Sequence, residues 1–449
     1  MEFKKSSVEE LIEKNVIEKP MDGNHGSIHP KSQDFTDVGI PFITAADINS
    51  DKVDIEKSNK LSQRNAQKLK KGFAKQGDVL LTHKASVGRT AIVHNTGYDY
   101  IILSPQVTYY RIKDNTTLLP EYLYLYFKSK YFNQTINQWA GGSTRNYIGI
   151  TAQRKLPIIY PSIKNQKKII DIIMTFEYKV QTNEKIIANL EELSQTLFKR
   201  WFVDFEFPDE NGNPYKSSGG EMIGSESGKI PFNWKCSKIK DINIVISDHV
   251  ANGSFKSIKE NVQFAEDLID EYAVFARNVD LKKGNNKFEK YVTKTSYDFL
   301  KKTHLYGHEV IISNVGDVGS VYLSPILNKP MVLGNNQIFL NSDDKNMNYY
   351  FYLFFKSTIG KNLINSITSG SVQMKFNKTD LRNSFIILPS KNDMDNLIEI
   401  IKKHINLIES KKNENMKLTQ LRDTLLPKLM SGELEIPDHI EVNEDELSI

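Results

Sequence analysis

The sequence contains an internal repeat, and this feature restricts the possible folds more than any other. Residues 79–88, VLLTHKASVG, match residues 310–319, VIISNVGDVG, at an offset of 231 positions (310 minus 79). Further along the chain the offset becomes 228, and identical residues recur in order: Tyr122 and Tyr350, Arg154 and Arg382, Pro161 and Pro389. Chance does not produce an ordered series that keeps two fixed offsets. The chain therefore contains two copies of one domain.

Each copy has the pattern of a mixed α/β domain. Short runs rich in Val, Ile and Tyr, such as 98–111 and 332–340, lie between glycine and asparagine residues and predict strands. A helix is predicted at 120–130, where a proline occupies the first position. A polar loop at 139–147 then precedes a last strand at 156–160. The repeat predicts two homologous α/β domains of about 160 residues each.

After each copy the periodicity changes from that of strands to that of a long helix. Apolar residues recur at steps of three and four from Ile173 onwards, with Asn183 and Ser194 as polar interruptions. A weaker seam follows the second copy. We expect the two helices to pack on each other through apolar positions: Ile173, Phe176, Val180, Ile187, Leu190, Leu197 and Trp201 in the first helix, and Ile401, Ile408, Leu418, Leu425 and Leu429 in the second.

Proline and turn-forming residues set the predicted boundaries. Pro208 ends the first long helix, and the glycine- and serine-rich stretch after it predicts a flexible connector. Ser431-Gly432 marks the end of the second helix. The predicted organisation is a first domain at 1–165, a central spacer helix at 166–208, a connector at 209–229, a second domain at 230–390, a second spacer helix at 391–433 and an acidic tail at 434–449.

Composition excludes several classes of protein. The apolar fraction of 39% and the charged fraction of 25% are those of a folded globular protein. No apolar run approaches the roughly 18 residues of a membrane helix, so we expect a cytoplasmic protein. The single cysteine, Cys236, cannot form a disulfide within the chain. Because the net charge is only +4, the distribution of charge, rather than its total, must indicate any nucleic-acid interface.

The sequence motifs of common enzymes are absent. An adenine methyltransferase would carry Asn/Asp-Pro-Pro-Tyr/Phe, and Asn213-Pro214-Tyr215 is one proline short. Residues 224–230 have neither the spacing nor the final Ser/Thr of a phosphate loop. Two histidine pairs spaced by four residues lie in glycine or strand contexts, so we expect loop or surface histidines rather than a metal site. We predict no catalytic residue, cofactor or metal in this chain.

Two similar domains separated by long helices suit duplex DNA, which offers similar sites at regular separations. A helix of 35 to 40 residues is on the order of 55 Å long, which equals about fifteen base pairs. Polar loops supply side chains that bind phosphates and base edges. The candidate DNA-binding residues are Lys84, Arg89, Ser143, Thr144, Arg145, Asn146 and Tyr147 in the first copy, and Asn314, Ser371, Gln373 and Lys375 in the second. Because Arg145 aligns with Gln373, we expect two half-sites of different sequence.

Three stretches of the chain resemble one family. LSQTLFKRWFVDFEFP at 193–208, YKSSGGE at 215–221 and LRDTLLPKLMSGEL at 421–434 closely resemble the specificity subunit of Type I restriction-modification systems. The resemblance implies that each domain is a target-recognition domain for half of a bipartite, asymmetric DNA site, and that the spacer helices form an antiparallel coiled coil. It also implies that two methyltransferase subunits dock on the chain and that restriction subunits can join them. S-adenosylmethionine, ATP and magnesium would then belong to the partner subunits.

Two other interpretations fit the residues alone. The chain would be a fragment of a single-chain methyltransferase-nuclease, or a two-headed coiled-coil interaction protein with no nucleic-acid role. The first predicts that the purified chain binds S-adenosylmethionine without partners. The second predicts no binding to duplex DNA, even when the methyltransferase subunit is present.

Overall fold

The computed structural model describes residues 2–49, 52–140, 147–370 and 373–437. The chain divides into two compact units: Met1–Val180 with Lys417–Ile449, and Gln181–Met416. Both boundaries fall inside long helices, so each unit combines a globular part with one half of each helix. The globular part of the first unit is called domain 1, and that of the second unit domain 2.

Short strands and short helices make up domain 1. Its strands are β1 (Phe3–Ser7), β2 (Met21–Asp22), β3 (Phe35–Thr36), β4 (Ile40–Ile43), β5 (Ile48–Asn49), β6 (Lys52–Val53), β7 (Asn59–Leu61), β8 (Phe73–Ala74), β9 (Val79–Thr82), β10 (Thr90–Ile92), β11 (Ile101–Leu103), β12 (Val107–Tyr110) and β13 (Pro157–Pro161). Its helices are α1 (Val8–Glu13), α2 (Gln63–Ala66), α3 (Pro120–Lys128), α4 (Lys130–Ala140) and α5 (Ile150–Gln153).

Two sheets form the centre of domain 1. One has the order β10-β9-β12-β2, and the other has the order β3-β7-β4-β11-β8, in which β4 and β11 run parallel. Strand β9 is buried on both faces, because Val79 and Leu81 belong to one apolar cluster and Leu80 to another. Burial on both faces explains why the strand is a continuous apolar run in the sequence.

The first long helix, α6, is Ile163–Phe202. It begins three residues before the predicted start and ends six residues before the predicted end at 208. The chain turns at Phe205, which has a φ of +62°, and the Phe207 ring then stacks on Trp234 at 5.1 Å. These aromatic contacts with domain 2 end the helix before Pro208 is reached.

The predicted connector at 209–229 contains turns and overlaps a strand pair. Strands β14 (Met222–Ser225) and β15 (Gly228–Pro231) form a hairpin. The Tyr215 hydroxyl donates to the Glu221 carbonyl at 2.8 Å, and the Tyr215 ring stacks on Phe207 at 4.6 Å. Glycine and serine here form tight turns, and Gly228 has a φ of +98°.

Domain 2 repeats the arrangement of domain 1. Its further strands are β16 (Lys235–Lys238), β17 (Val245–Asp248), β18 (Ala273–Ala276), β19 (Tyr291–Val292), β20 (His304–Leu305), β21 (Val310–Ser313), β22 (Val321–Leu323), β23 (Met331–Leu333), β24 (Gln337–Asn341) and β25 (Phe385–Leu388). Its helices are α7 (Phe255–Asn261), α8 (Asn278–Lys283), α9 (Lys294–Phe299), α10 (Lys345–Lys356), α11 (Thr358–Ile367) and α12 (Lys378–Asn383). The sheet orders are β17-β24-β21-β22 and β19-β18-β23-β20, and β18 and β23 run parallel.

The two sequence offsets recur in the geometry. In domain 1, Lys5 of β1 pairs with Ile159 of β13; in domain 2, Cys236 of β16 pairs with Ile387 of β25. The first residues of these pairs differ by 231 positions and the second by 228. The Tyr122 hydroxyl donates to the Ile159 carbonyl, and the Tyr350 hydroxyl donates to the Ile387 carbonyl. The predicted duplication of an α/β domain is therefore confirmed.

The second long helix, α13, is Lys391–Ser431, and it continues through Pro427. Contacts inside each unit place α13 antiparallel to α6. In the first unit, Arg422 Nη1 lies 3.5 Å from Glu177 Oε1. In the second unit, Asn183 Nδ2 donates to Asn415 Oδ1 at 2.8 Å, and Ser194 Oγ lies 3.0 Å from His404 Nδ1. The polar interruptions predicted in the first helix, Asn183 and Ser194, therefore face polar residues of α13.

None of the twelve predicted helix-interface residues is exposed. Ile173, Ile401, Ile408 and Leu429 are buried. The others are half-buried: Phe176, Val180, Ile187, Leu190, Leu197, Trp201, Leu418 and Leu425. The ends of the helices pack into the domain cores, where Phe198 and Phe202 are more buried than the predicted Leu197 and Trp201. In the described part of the chain, none of the helices combines the length and the hydropathy of a membrane span.

Candidate nucleic-acid interface

A backbone bridge brings the first predicted DNA-binding turn to the end of the polar loop. Lys84 and Tyr147 form an antiparallel bridge, and the Ile148 amide donates to the His83 carbonyl at 3.0 Å. Lys84 Nζ lies 5.9 Å from the centroid of the Tyr147 ring, and both side chains are exposed. The loop residues predicted with them, Ser143, Thr144, Arg145 and Asn146, lie outside the described residues.

Arg89, at the far end of the same turn, is held at one nitrogen and is exposed. Its Nη1 donates to the carbonyls of Ala45 and Ile48 at 3.3 and 3.4 Å and to Asn49 Oδ1 at 3.2 Å. These acceptors fix the direction of the guanidinium without neutralising its charge. The preceding residue, Gly88, has a φ of +95°, which favours glycine.

Arg89 lines a cavity of about 390 Å³. Lys128, at the end of α3, and Asn133, on α4, line its other side. The charge of Lys128 is compensated, since its Nζ lies 2.5 Å from Glu177 Oε1. Asn133 Nδ2 donates to the carbonyls of Phe127 and Ser129, and these bonds tie α4 to the end of α3. The cavity is therefore a polar recess in which Arg89 carries the uncompensated charge.

Domain 2 contains the same bridge with different side chains. Val315 pairs with Lys375, and the Phe376 amide donates to the Asn314 carbonyl at 3.1 Å. The structural counterpart of Lys84 is therefore Val315, and that of His83 is Asn314. Asn314 Nδ2 donates to the Phe376 carbonyl at 3.2 Å, and the residue is half-buried. This bond lets Asn314 hold the loop, and its role in binding DNA stays a prediction.

Two of the remaining predicted residues of domain 2, Gln373 and Lys375, lie at or next to a short backbone pairing. Ser369 and Lys375 exchange two backbone hydrogen bonds, each 2.9 Å long. Gln373 and Lys375 are exposed. Ser371 lies outside the described residues. Gln373 and Lys375 are thus presented to solvent beside this backbone pairing.

A second cavity of about 390 Å³ occupies the equivalent place in domain 2. It is lined by Ser320, Lys356 and Lys361, which correspond to Arg89, Lys128 and Asn133 at the offsets of 231 and 228. Lys356 Nζ lies 3.9 Å from Glu191 Oε1. Lys361, on α11, is exposed and has no ion-pair partner among the described residues.

His83 is buried behind the first bridge and is neutral at physiological pH. Burial lowers the pKa of His83 to about 4. Its Nδ1 lies 2.7 Å from Thr108 Oγ1. Burial raises the pKa of nearby Asp22, but hydrogen bonds from Lys71 and His25 outweigh this effect and leave that pKa lowered. This arrangement supports the turn from inside.

Sequence reasoning missed the exposed face of α4 and its counterpart on α11. Gln134 and Asn137 of α4 line a shallow cleft beside the Arg89 cavity. The corresponding residues of α11, Asn362 and Asn365, are also exposed. The offset of 228 contained the signal, because it aligns two exposed amides in both copies. Amide side chains on a helix can pair with adenine edges.

Within the described part of the chain, no group of three or more His, Cys, Asp or Glu residues is arranged to hold a metal ion. The exposed residues of the two bridges and cavities are cationic, amide or aromatic. These side chains suit binding to phosphates and bases.

Comparison with known proteins gives a consistent family. The family model of the Type I restriction modification DNA specificity domain matches twice, at residues 3–192 and 231–420. The chain is 25% identical to the Type I restriction enzyme MjaIX specificity subunit of Methanocaldococcus jannaschii, over 91% of this chain and 90% of that protein. It is 24% identical to the Type I restriction enzyme HindI specificity subunit of Haemophilus influenzae, over 80% of this chain and 87% of that protein.

A solved structure supports the fold. The S subunit of a Type I restriction-modification system from M. genitalium superimposes with a TM-score of 0.56 at 15% identity, over 98% of this chain and 97% of that chain. The family match covers most of the chain and repeats at the offset of 228 found in the sequence. The chain therefore belongs to the Type I restriction-modification DNA specificity family and is a non-catalytic specificity subunit with two target-recognition domains.

Proposed function

We propose that each domain reads one half of a bipartite, asymmetric DNA site. One observation carries this proposal: the same backbone bridge and adjoining helix recur in both domains, but the exposed Gln134 of α4 becomes Asn362 in α11, and the bridge residue Tyr147 is matched by the non-aromatic Lys375. A shared architecture suits the same kind of ligand in both places. Different exposed side chains at the same positions favour different base sequences, because discrimination depends on donor and acceptor patterns at base edges.

We propose further that the chain docks two methyltransferase subunits and that restriction subunits can join them. S-adenosylmethionine, ATP and magnesium then bind to those partners. Exposed apolar residues on the long helices support docking on this part of the chain: Tyr178 and Leu193 on α6, and Leu407 and Leu421 on α13. A partner that covers these side chains would remove their apolar surface from water, which stabilises a complex.

Coexpression with the methyltransferase subunits in a host without other adenine methylation tests the proposal. Mapping of methylated adenines should give one two-part motif with a degenerate spacer and unlike halves. A continuous recognition sequence, or two identical halves, would contradict the reading of two half-sites. Methylation by the methyltransferase subunits in the absence of this chain would contradict its role in specificity.

A further inference from the structure

The two domains place exposed positive charge at the same sites by using different sequence positions. The first site is the backbone bridge. In domain 1 the cation is Lys84 and its bridge partner is Tyr147; in domain 2 the partners are Val315 and Lys375. The offsets of 231 and 228 align Lys84 with Val315 and Tyr147 with Lys375. The charge has therefore moved from one bridge partner to the other, while each bridge keeps one lysine.

The second site is the cavity beside the bridge. In domain 1 the uncompensated cation is Arg89, which follows the glycine turn, and the helix opposite carries Asn133. In domain 2 the position after the glycine is Ser320, and the helix carries Lys361. Here too the charge has crossed from one wall to the other. Among the described residues, no carboxylate lies within ion-pair distance of Arg89 or Lys361.

We infer that Lys84, Arg89, Lys361 and Lys375 bind DNA phosphates and do not read bases. The inference rests on the proposed DNA-binding function and assigns roles within the same surface. A phosphate contact needs a cation within reach, and it tolerates a change in the residue that supplies the charge. A base contact needs donors and acceptors in one fixed pattern, which moving the cation to the facing residue would destroy. In both domains the cation lies at the same place in the fold but at a different position in the sequence, which fits a phosphate contact.

An exchange of residues between the two patterns tests the inference on the complex with the methyltransferase subunits. Lys84→Val removes the bridge cation, and the double variant Lys84→Val/Tyr147→Lys restores it in the arrangement of domain 2. Arg89→Ser and Arg89→Ser/Asn133→Lys form the equivalent set for the cavity. The measurement is the Kd for the recognised duplex and for a random duplex, over a series of salt concentrations.

Each single variant should weaken binding to both duplexes by the same factor, about tenfold at low salt. The slope of log Kd against log salt should fall by about 0.9 for each lost phosphate contact. Each double variant should recover both the affinity and the slope. Lys5→Ala is the matched control. Lys5 is exposed, but its counterpart in domain 2 is Cys236, and the strand partners of these two residues are both isoleucine, so the two domains do not share a cation at this place. The slope for this variant should equal that of the unsubstituted complex.

The inference is overturned if a single variant changes the preference for one half-site and leaves binding to the random duplex intact. It is overturned equally if the single variants leave affinity and slope unchanged, or if the double variants fail to recover while their melting temperatures match the unsubstituted complex. If Asn133→Lys disturbs the junction of α3 and α4, the variants Lys84→Val and Lys84→Val/Tyr147→Lys still test the inference, because they leave Asn133 unchanged. A complex that binds no DNA before any substitution would instead overturn the proposed function itself.

Discussion

Truncation of Phe198 should destabilise the second unit selectively. Phe198 lies on α6 but is only 1% exposed, and its ring lies 5.3 Å from Phe202 and 5.7 Å from Tyr350. Replacing a fully buried phenylalanine with alanine costs about 3–5 kcal/mol of the free energy of unfolding. In a unit of this size that loss lowers the melting temperature by roughly 6–20 °C.

Hydrogen–deuterium exchange resolved by peptide measures where the stability is lost. In Phe198→Ala, peptides from the core strands of domain 2 should exchange faster, and those from domain 1 should keep their protection. Leu193→Ala is the matched control on the same helix, because Leu193 is 46% exposed; its cost should stay within about 0.5 kcal/mol. Equal effects of the two variants would refute the assignment of this part of α6 to the core of domain 2, as would equal loss of protection in domain 1.

Three further predictions follow from the loops and turns. Burial lowers the pKa of His83 to about 4 in the folded chain, whereas a histidine in the unfolded chain has a pKa of about 6.5. As the pH falls from 6.5 towards 4, only the unfolded chain takes up this proton, so the free energy of unfolding decreases by about 3 kcal/mol. Urea denaturation of His83→Asn, which copies Asn314, should lack this pH dependence. Gly88→Ala should lower the melting temperature more than Gly319→Ala. Both glycines have positive φ, which costs an alanine about 1–2 kcal/mol, but only at Gly88 would the new Cβ lie as close as 2.8 Å to another atom, Asn133 Oδ1. Equal losses would contradict the packing around the first cavity. Arg145→Ala should relax base preference at one half-site in methylation mapping, and equal relaxation at both halves would contradict its assignment to a single domain.

The duplication could be predicted from the sequence because both offsets are preserved by backbone pairing. Contacts such as that of Tyr122 with Ile159 and that of Tyr350 with Ile387 require the same residue type in both copies. The pairing of the two long helices was also recognisable from their periodicity, whereas their antiparallel direction was implied only by the family resemblance. Features held by contacts near in sequence or repeated in both copies leave a pattern that one sequence can reveal.

Features that depend on contacts between distant segments were not predictable. The heptad seam selected Leu197 and Trp201, whereas the core of domain 2 also covers the neighbouring face of the helix and buries Phe198 and Phe202. Glycine and serine in the connector are common to flexible and turn-rich segments alike, and their pattern does not reveal the stacking of Phe207 on Tyr215.

The candidate site was predicted in part for the same reason. Lys84, Arg89, Tyr147, Gln373 and Lys375 are exposed as expected. Lys361 was missed because it reaches the cavity from a helix that lies far along the chain from the glycine turn. Tertiary structure alone brings the two walls of that cavity together.

The most direct test of two separate half-site readers is a chain in which domain 2 is replaced by a second copy of domain 1. The spacer helices are kept, and the chain is coexpressed with the methyltransferase subunits before methylated adenines are mapped. We predict a motif with two copies of the half-site read by domain 1 and no trace of the other half-site. Persistence of the original asymmetric motif would contradict the proposal that each domain reads its own half-site.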